Sequence, residues 1–98
     1  MITLKQAVEI ANNQEKNEKY MVISKRCYEL SDKWCFSFAY KMDNGDIPTA
    51  GYNLIVYKKT GETKRIFLPS GEGFALMHEK DQYGKNIDIS EYIKELEK

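Results

Sequence analysis

The side chains able to do covalent chemistry are few. The chain has one histidine, His78, and two cysteines, Cys27 and Cys35. A nucleophilic thiol needs a base within hydrogen-bond reach. Both cysteines fall inside strand-like stretches, where access is poor, so a Cys–His pair is not expected. His78 then reads as an edge-strand or loop residue. Two Cys and one His fall short of the four ligands of a structural zinc site, and no metal is expected. Gly71-Glu72-Gly73 resembles a small phosphate loop. A phosphate cradle needs glycines at a helix N-terminus, usually with Lys and Ser or Thr after them. Here Phe74-Ala75-Leu76 follows, so the stretch reads as a flexible loop or bulge, and no cofactor is expected.

Two carboxylates, Asp43 and Asp46, bracket Asn44-Gly45. A general-acid pair requires one desolvated carboxyl, and a turn-rich polar segment desolvates neither. The spacing of a calcium loop is absent, which leaves an Asx-type turn. Of the seven tyrosines, Tyr20, Tyr40, Tyr52 and Tyr57 fall in predicted strands, with rings expected in the core and hydroxyls at its rim. An aromatic platform for nucleic acid would need Lys and Arg interleaved on the same face. Residues 52–59 offer Lys58 and Lys59 only at their end.

The elements that must hold these residues are legible from period. Ile2-Thr3-Leu4-Lys5-Gln6-Ala7 reads as a capping box, with Thr3 as N-cap, Gln6 at N3, and Ile2 and Ala7 as a hydrophobic staple. Leu4, Ala7, Val8 and Ala11 then form one helical stripe that fades in the polar run 12–19. Ile87-Asp88-Ile89-Ser90-Glu91-Tyr92 repeats the device with Asp88 as N-cap, and Ile89, Tyr92, Ile93 and Leu96 form its stripe. A helix this short is marginal alone and must dock. Between the helices the period is two. Strands are expected over 20–28, 34–42, 52–59 and 64–68, with turns at 30–33 and 60–62. Trp34, Phe36, Phe38 and Tyr40 share one strand face and predict its apolar side. The opposite side, with Ser37 and Lys41, should be wetter. Pro69 to Gly73 should break the fourth strand. Residues 74–78 are a candidate fifth strand, and 79–86 read as an exposed loop. Strands grouped together with helices at the ends define an α+β domain. The expected form is a four-stranded antiparallel meander, extended by 74–78 if those pair, with both helices on one sheet face.

Ninety-eight residues make one domain, 1–98. A chain this size buries roughly 60–70% of its unfolded surface, enough for one modest core. Fifteen basic residues balance fifteen acidic ones, so no global field favours nucleic acid. No apolar run reaches a membrane span. The opening MITLKQAVEI lacks the features of a secretory signal, so the expected location is cytoplasmic. Cys27 and Cys35 flank a turn and could face each other across a hairpin. That compartment keeps them reduced.

A longer pattern runs from Trp34 through FSFAYKMDNGDIPTAGYNLIVYKKTGE and resumes at ISEYIKELEK. It resembles the immunity protein 35 (YrhB-like) family of bacterial polymorphic-toxin immunity proteins. The matching elements are the Trp-led aromatic strand, Gly45-Asp46, Ala50-Gly51, Ile55-Val56 with Lys59-Thr60-Gly61-Glu62, and Glu91-Tyr92-Ile93. Tyr57 stands where that family has an acidic residue, and 69–86 look like an insertion. The resemblance implies a non-enzymatic domain that binds and neutralises a cognate toxin domain, as a monomer or weak homodimer. Recognition would fall to the loops, through Asp43, Asp46, Glu72, Phe74 and Tyr83. Exposed aromatics anchor interfaces and carboxylates steer toward basic partners. Two other readings stay open: a chaperone-like or regulatory domain, and a small enzyme with a pocket between sheet and helices.

Overall fold

A computed structural model describes residues 1–14, 21–40, 51–67 and 70–96, with the side chains at 21–25, 39, 40 and 51 outside that set. The order is α1 (Leu4–Gln14), β1 (Met21–Glu29), β2 (Lys33–Tyr40), β3 (Gly51–Tyr57), β4 (Thr63–Phe67), α2 (Gly71–Tyr83), β5 (Lys85–Asp88) and α3 (Ser90–Leu96). The strands form one antiparallel sheet in the order β4-β3-β2-β1-β5. The fold is α+β, and its first four strands are the predicted meander.

The capping box closes α1 as its sequence requires. The Thr3 N–H donates to Gln6 Oε1 at 2.9 Å, and the Gln6 N–H donates back to Thr3 Oγ1 at 3.2 Å. Ala7, Val8 and Ala11 are fully buried; two of the three are alanines, so the helix axis can sit close to the sheet. At the other end the predicted N-cap is displaced by one residue. Asp88 accepts the Ser90 N–H in an Asx turn, and the Ile89 carbonyl accepts the first helical bond, from Ile93 N–H. Ile89 is fully buried; Tyr92, Ile93 and Leu96 pack around the same core.

Strand register sorts the side chains. Trp34 pairs with Val56, Phe36 with Leu54 and Phe38 with Tyr52. Side chains alternate between faces, so these six share one face with Cys27, under α1 and α3, and all are buried. Tyr40 ends β2 opposite Met21, its side chain outside the described set. Cys35 and Ile55 point to the other face. Cys27 pairs with Phe36, and Cys35 with Tyr28. The two thiols therefore lie on opposite faces of the sheet. The expectation that they could meet across the hairpin is wrong by one residue of register, which reverses a side chain's face.

The turns match their chemistry. Leu30 N–H donates to Lys33 O at 2.8 Å between β1 and β2. Between β3 and β4, Tyr57 N–H donates to Glu62 O, and Gly61 takes φ +78°, a left-handed conformation that glycine adopts without strain.

The segment after β4 departs from expectation. Residues 74–78 are not a strand and 79–86 are not a loop; both belong largely to α2. Ser70 decides this. Its Oγ accepts the Gly73 N–H at 2.9 Å, and its backbone carbonyl accepts the Phe74 N–H. One side chain thus caps the helix across the two glycines that look like a breaker. The fifth strand lies further on, at Lys85–Asp88, paired antiparallel with β1 from Arg26↔Asp88 to Glu29↔Lys85.

β4 and β5 occupy opposite edges of the sheet, so the helix joining them must cross its whole width. Thirteen helical residues span about 20 Å, and four strand gaps span about 19 Å. The contacts follow that diagonal. Glu72 pairs with Lys64 of β4, Leu76 packs with Ile55 of β3 and Cys35 of β2, Glu79 reaches Lys33 of β2, and Lys80 lies over Tyr28 of β1. α2 covers the sheet face opposite α1 and α3. That face is the wetter one only away from Leu76, where Ser37 donates to the buried Asn53 Oδ1 at 3.2 Å.

Candidate interaction surface

The thiols sit on the strands that build the core. Both are fully buried. Burial pushes Cys27 up to about 12, reinforced by Cys35 and Glu29. Burial likewise pushes Cys35 up to about 11, against the opposing pull of Lys80 and Lys33. Only the thiolate attacks, so neither group is a nucleophile at neutral pH in this closed form. His78 is exposed on α2, a helix residue rather than the strand or loop residue expected. Among the described residues, no three of His, Cys, Asp and Glu converge as a metal site, and no helix is long and apolar enough to cross a membrane.

A groove of ≈ 160 Å³ lies between α1 and α3, lined by Lys5, Glu9, Tyr92, Glu95 and Leu96. Lys5 and Glu95 approach to 3.8 Å across it, both more than half exposed. Its lining belongs to two helices, not to the sheet.

The residues predicted for recognition divide three ways. Asp43 and Asp46 lie outside the described residues. Glu72 sits in the first turn of α2, its carboxylate 2.7 Å from the Lys64 ammonium. That hydrogen bond raises the lysine's pKa above the ordinary range, and a carboxylate in the first turn also suits the helix dipole. Phe74 is 61% exposed and Tyr83 74% exposed. They are nine positions apart, half a rotation round the helix, so one flank does not present both.

The helix supplies a different grouping. Phe74, Met77, His78 and Asp81 fall at i, i+3, i+4 and i+7, one stripe along α2. All four are exposed, Met77 at 42%. Leu76 and Gly73, on the opposite side, are the buried contacts. Met77 and His78 were not among the predicted contacts because the segment reads as a strand, where 74, 76 and 78 would share a face. The signal that finds them is the spacing from Ser70: once it is a cap, every fourth residue counts.

The described architecture is therefore an α+β domain whose second helix straps the sheet and turns an aromatic, a thioether, an imidazole and a carboxylate outward. No protein-family model, curated protein or solved structure matches the chain.

Proposed function

We propose that the chain is a non-enzymatic protein-binding domain that engages its partner through the outward stripe of α2, and that the partner is a bacterial toxin domain which it neutralises. The observation carrying this is the exposure of Phe74 at 61% on a helix already satisfied on its inner side by Leu76. A large exposed aromatic beside a methionine is the composition of an interface centre rather than of ordinary surface. The toxin assignment comes from the sequence resemblance. The groove between α1 and α3 has a polar rim closed by an ion pair, which suits a surface joint between helices.

The test is a pull-down against the product of the adjacent gene. Phe74→Asp and Met77→Asp should each weaken the complex at least tenfold while leaving the thermal midpoint within a degree or two, because neither side chain contributes to the core. Asp43→Lys with Asp46→Lys probes the loop expected from sequence. Binding indifferent to both α2 variants would refute the α2 surface. Absence of any complex with the native chain would refute the toxin reading itself.

A further inference from the structure

The two faces of the sheet are covered unequally. Under α1 and α3 lies a core that holds, among the described residues, eleven buried ones drawn from helices and strands. Under α2 the buried cluster among the described residues is Leu30, Cys35, Ile55 and Leu76, with Tyr28, Tyr57 and Ile66 partly buried around it, and the helix itself contributes a single buried side chain. Gly73 is its other buried residue and has none. The remaining attachments are at its flanks. They are Glu72 with Lys64, Glu79 with Lys33 at 3.1 Å, and the Lys80 ammonium 4.9 Å from the Tyr28 ring centre. The Glu72–Lys64 pair is exposed, adds little and is screened by salt; the Glu79–Lys33 pair, with Lys33 only 15% exposed, is the firmer latch. Segments with few buried apolar contacts open before the rest of a fold. Both ends of α2 are tied to edge strands, so it can lift without releasing the chain.

We propose that α2 opens as a unit while the sheet, α1 and α3 stay folded, and that this opening uncovers Cys35 with the apolar strip of Leu30 and Ile55. Cys35 is then a conditional thiol, available to alkylating or oxidising reagents only when the strap is lifted. Cys27 is the internal control. It is equally buried, but beneath the terminal helices on the opposite face. The inference is independent of what α2 binds.

Iodoacetamide labelling of the full chain in native buffer, with each cysteine quantified by peptide mass, tests it. Cys35 should be labelled at least tenfold faster than Cys27. Glu79→Gln, which weakens the part-buried latch to Lys33, should speed Cys35 a further several-fold and leave Cys27 unchanged. Raising the salt concentration should act in the same direction. Amide exchange should show Leu76 to Lys80 exchanging faster than Phe36 and Leu54. Equal labelling of the two thiols, or a variant that accelerates both together, would mean that they are exposed only by global unfolding and would overturn the proposal. So would a Cys35 that stays unlabelled while both react in denaturant.

Discussion

At the scale of single residues, the two thiols link stability to alkaline pH. Each binds its proton more tightly in the folded chain than in the unfolded one, where the value is near 8.5. Stability from this source is therefore complete below about pH 8.5 and is lost as pH rises toward the folded values, about 11 for Cys35 and about 12 for Cys27. The slope approaches 1.4 kcal/mol per pH unit for each thiol, roughly the energy of one pKa unit. Lys33 behaves the same way at higher pH. Burial would lower its pKa, but hydrogen bonds to Glu79 and Asp32 outweigh that and raise it. Its contribution is kept until the unfolded lysine value near 10.4 is passed. A urea series between about pH 8.5 and 10, compared between the native chain and the Cys→Ala variants, reads the thiols' share. The midpoint should fall with pH in the native chain, and Cys27→Ala should lower it at pH 7 but flatten the fall. A slope identical in the native chain and in both single Cys→Ala variants would place the titration elsewhere.

At the scale of elements, legibility followed how much of each element's signal was local. α1 was readable because Thr3 and Gln6 name each other and the stripe Leu4, Ala7, Val8, Ala11 follows at once. β2 was readable because four aromatics alternate with small or polar residues. α2 was not, because its apolar residues run together as Phe74-Ala75-Leu76-Met77 and only Leu76 is turned inward. A helix that crosses a sheet on one anchor has no stripe to read. The partner-contact guesses inherited that error: Phe74 and Tyr83 fell on α2 but on different sides of it. β5 was hidden for another reason, since Lys85-Asn86-Ile87-Asp88 is polar and pairs along only one edge. The ends of α2 supply the tests. Ser70→Ala removes the acceptor for the Gly73 N–H and should cost about 1 kcal/mol, seen as faster amide exchange confined to the first turn of α2. At the far end Gly84 has an ordinary φ of −75°, so its requirement is space rather than conformation. A methyl group there would lie 2.6 Å from the Lys80 carbonyl oxygen and 3.1 Å from the Tyr28 ring. The first neighbour is backbone and cannot swing aside. Gly84→Ala should therefore destabilise by roughly 1–3 kcal/mol, measured by urea denaturation. A neutral result would mean that α2 ends with more slack than this geometry has.

At the scale of the whole molecule, a two-faced sheet with one heavy core and one light one makes a directional prediction about stability. Phe36 is fully buried between Cys27, Leu54 and the terminal helices. Truncating a buried phenylalanine costs about 3–5 kcal/mol through lost transfer energy and the cavity left behind. A domain of this kind has roughly 5–15 kcal/mol in total, so Phe36→Ala should leave the chain close to the edge of folding. Leu76 is also buried, at 3% exposure, but its cluster is small and lies under a helix that rests on this one side chain and is free to settle inward. Such a site collapses more readily, so Leu76→Ala should fall near the low end of the leucine range, about 2 kcal/mol. The two changes should also differ in kind. Phe36→Ala should lower the urea midpoint and raise the labelling of both thiols, because the face it weakens holds the fold together. Leu76→Ala should lower the midpoint less and raise the labelling of Cys35 alone. If Leu76→Ala proves the costlier of the two, the α2 face is the principal core. The terminal helices would then be the accessory layer, and the division between scaffold and strap would have to be reversed.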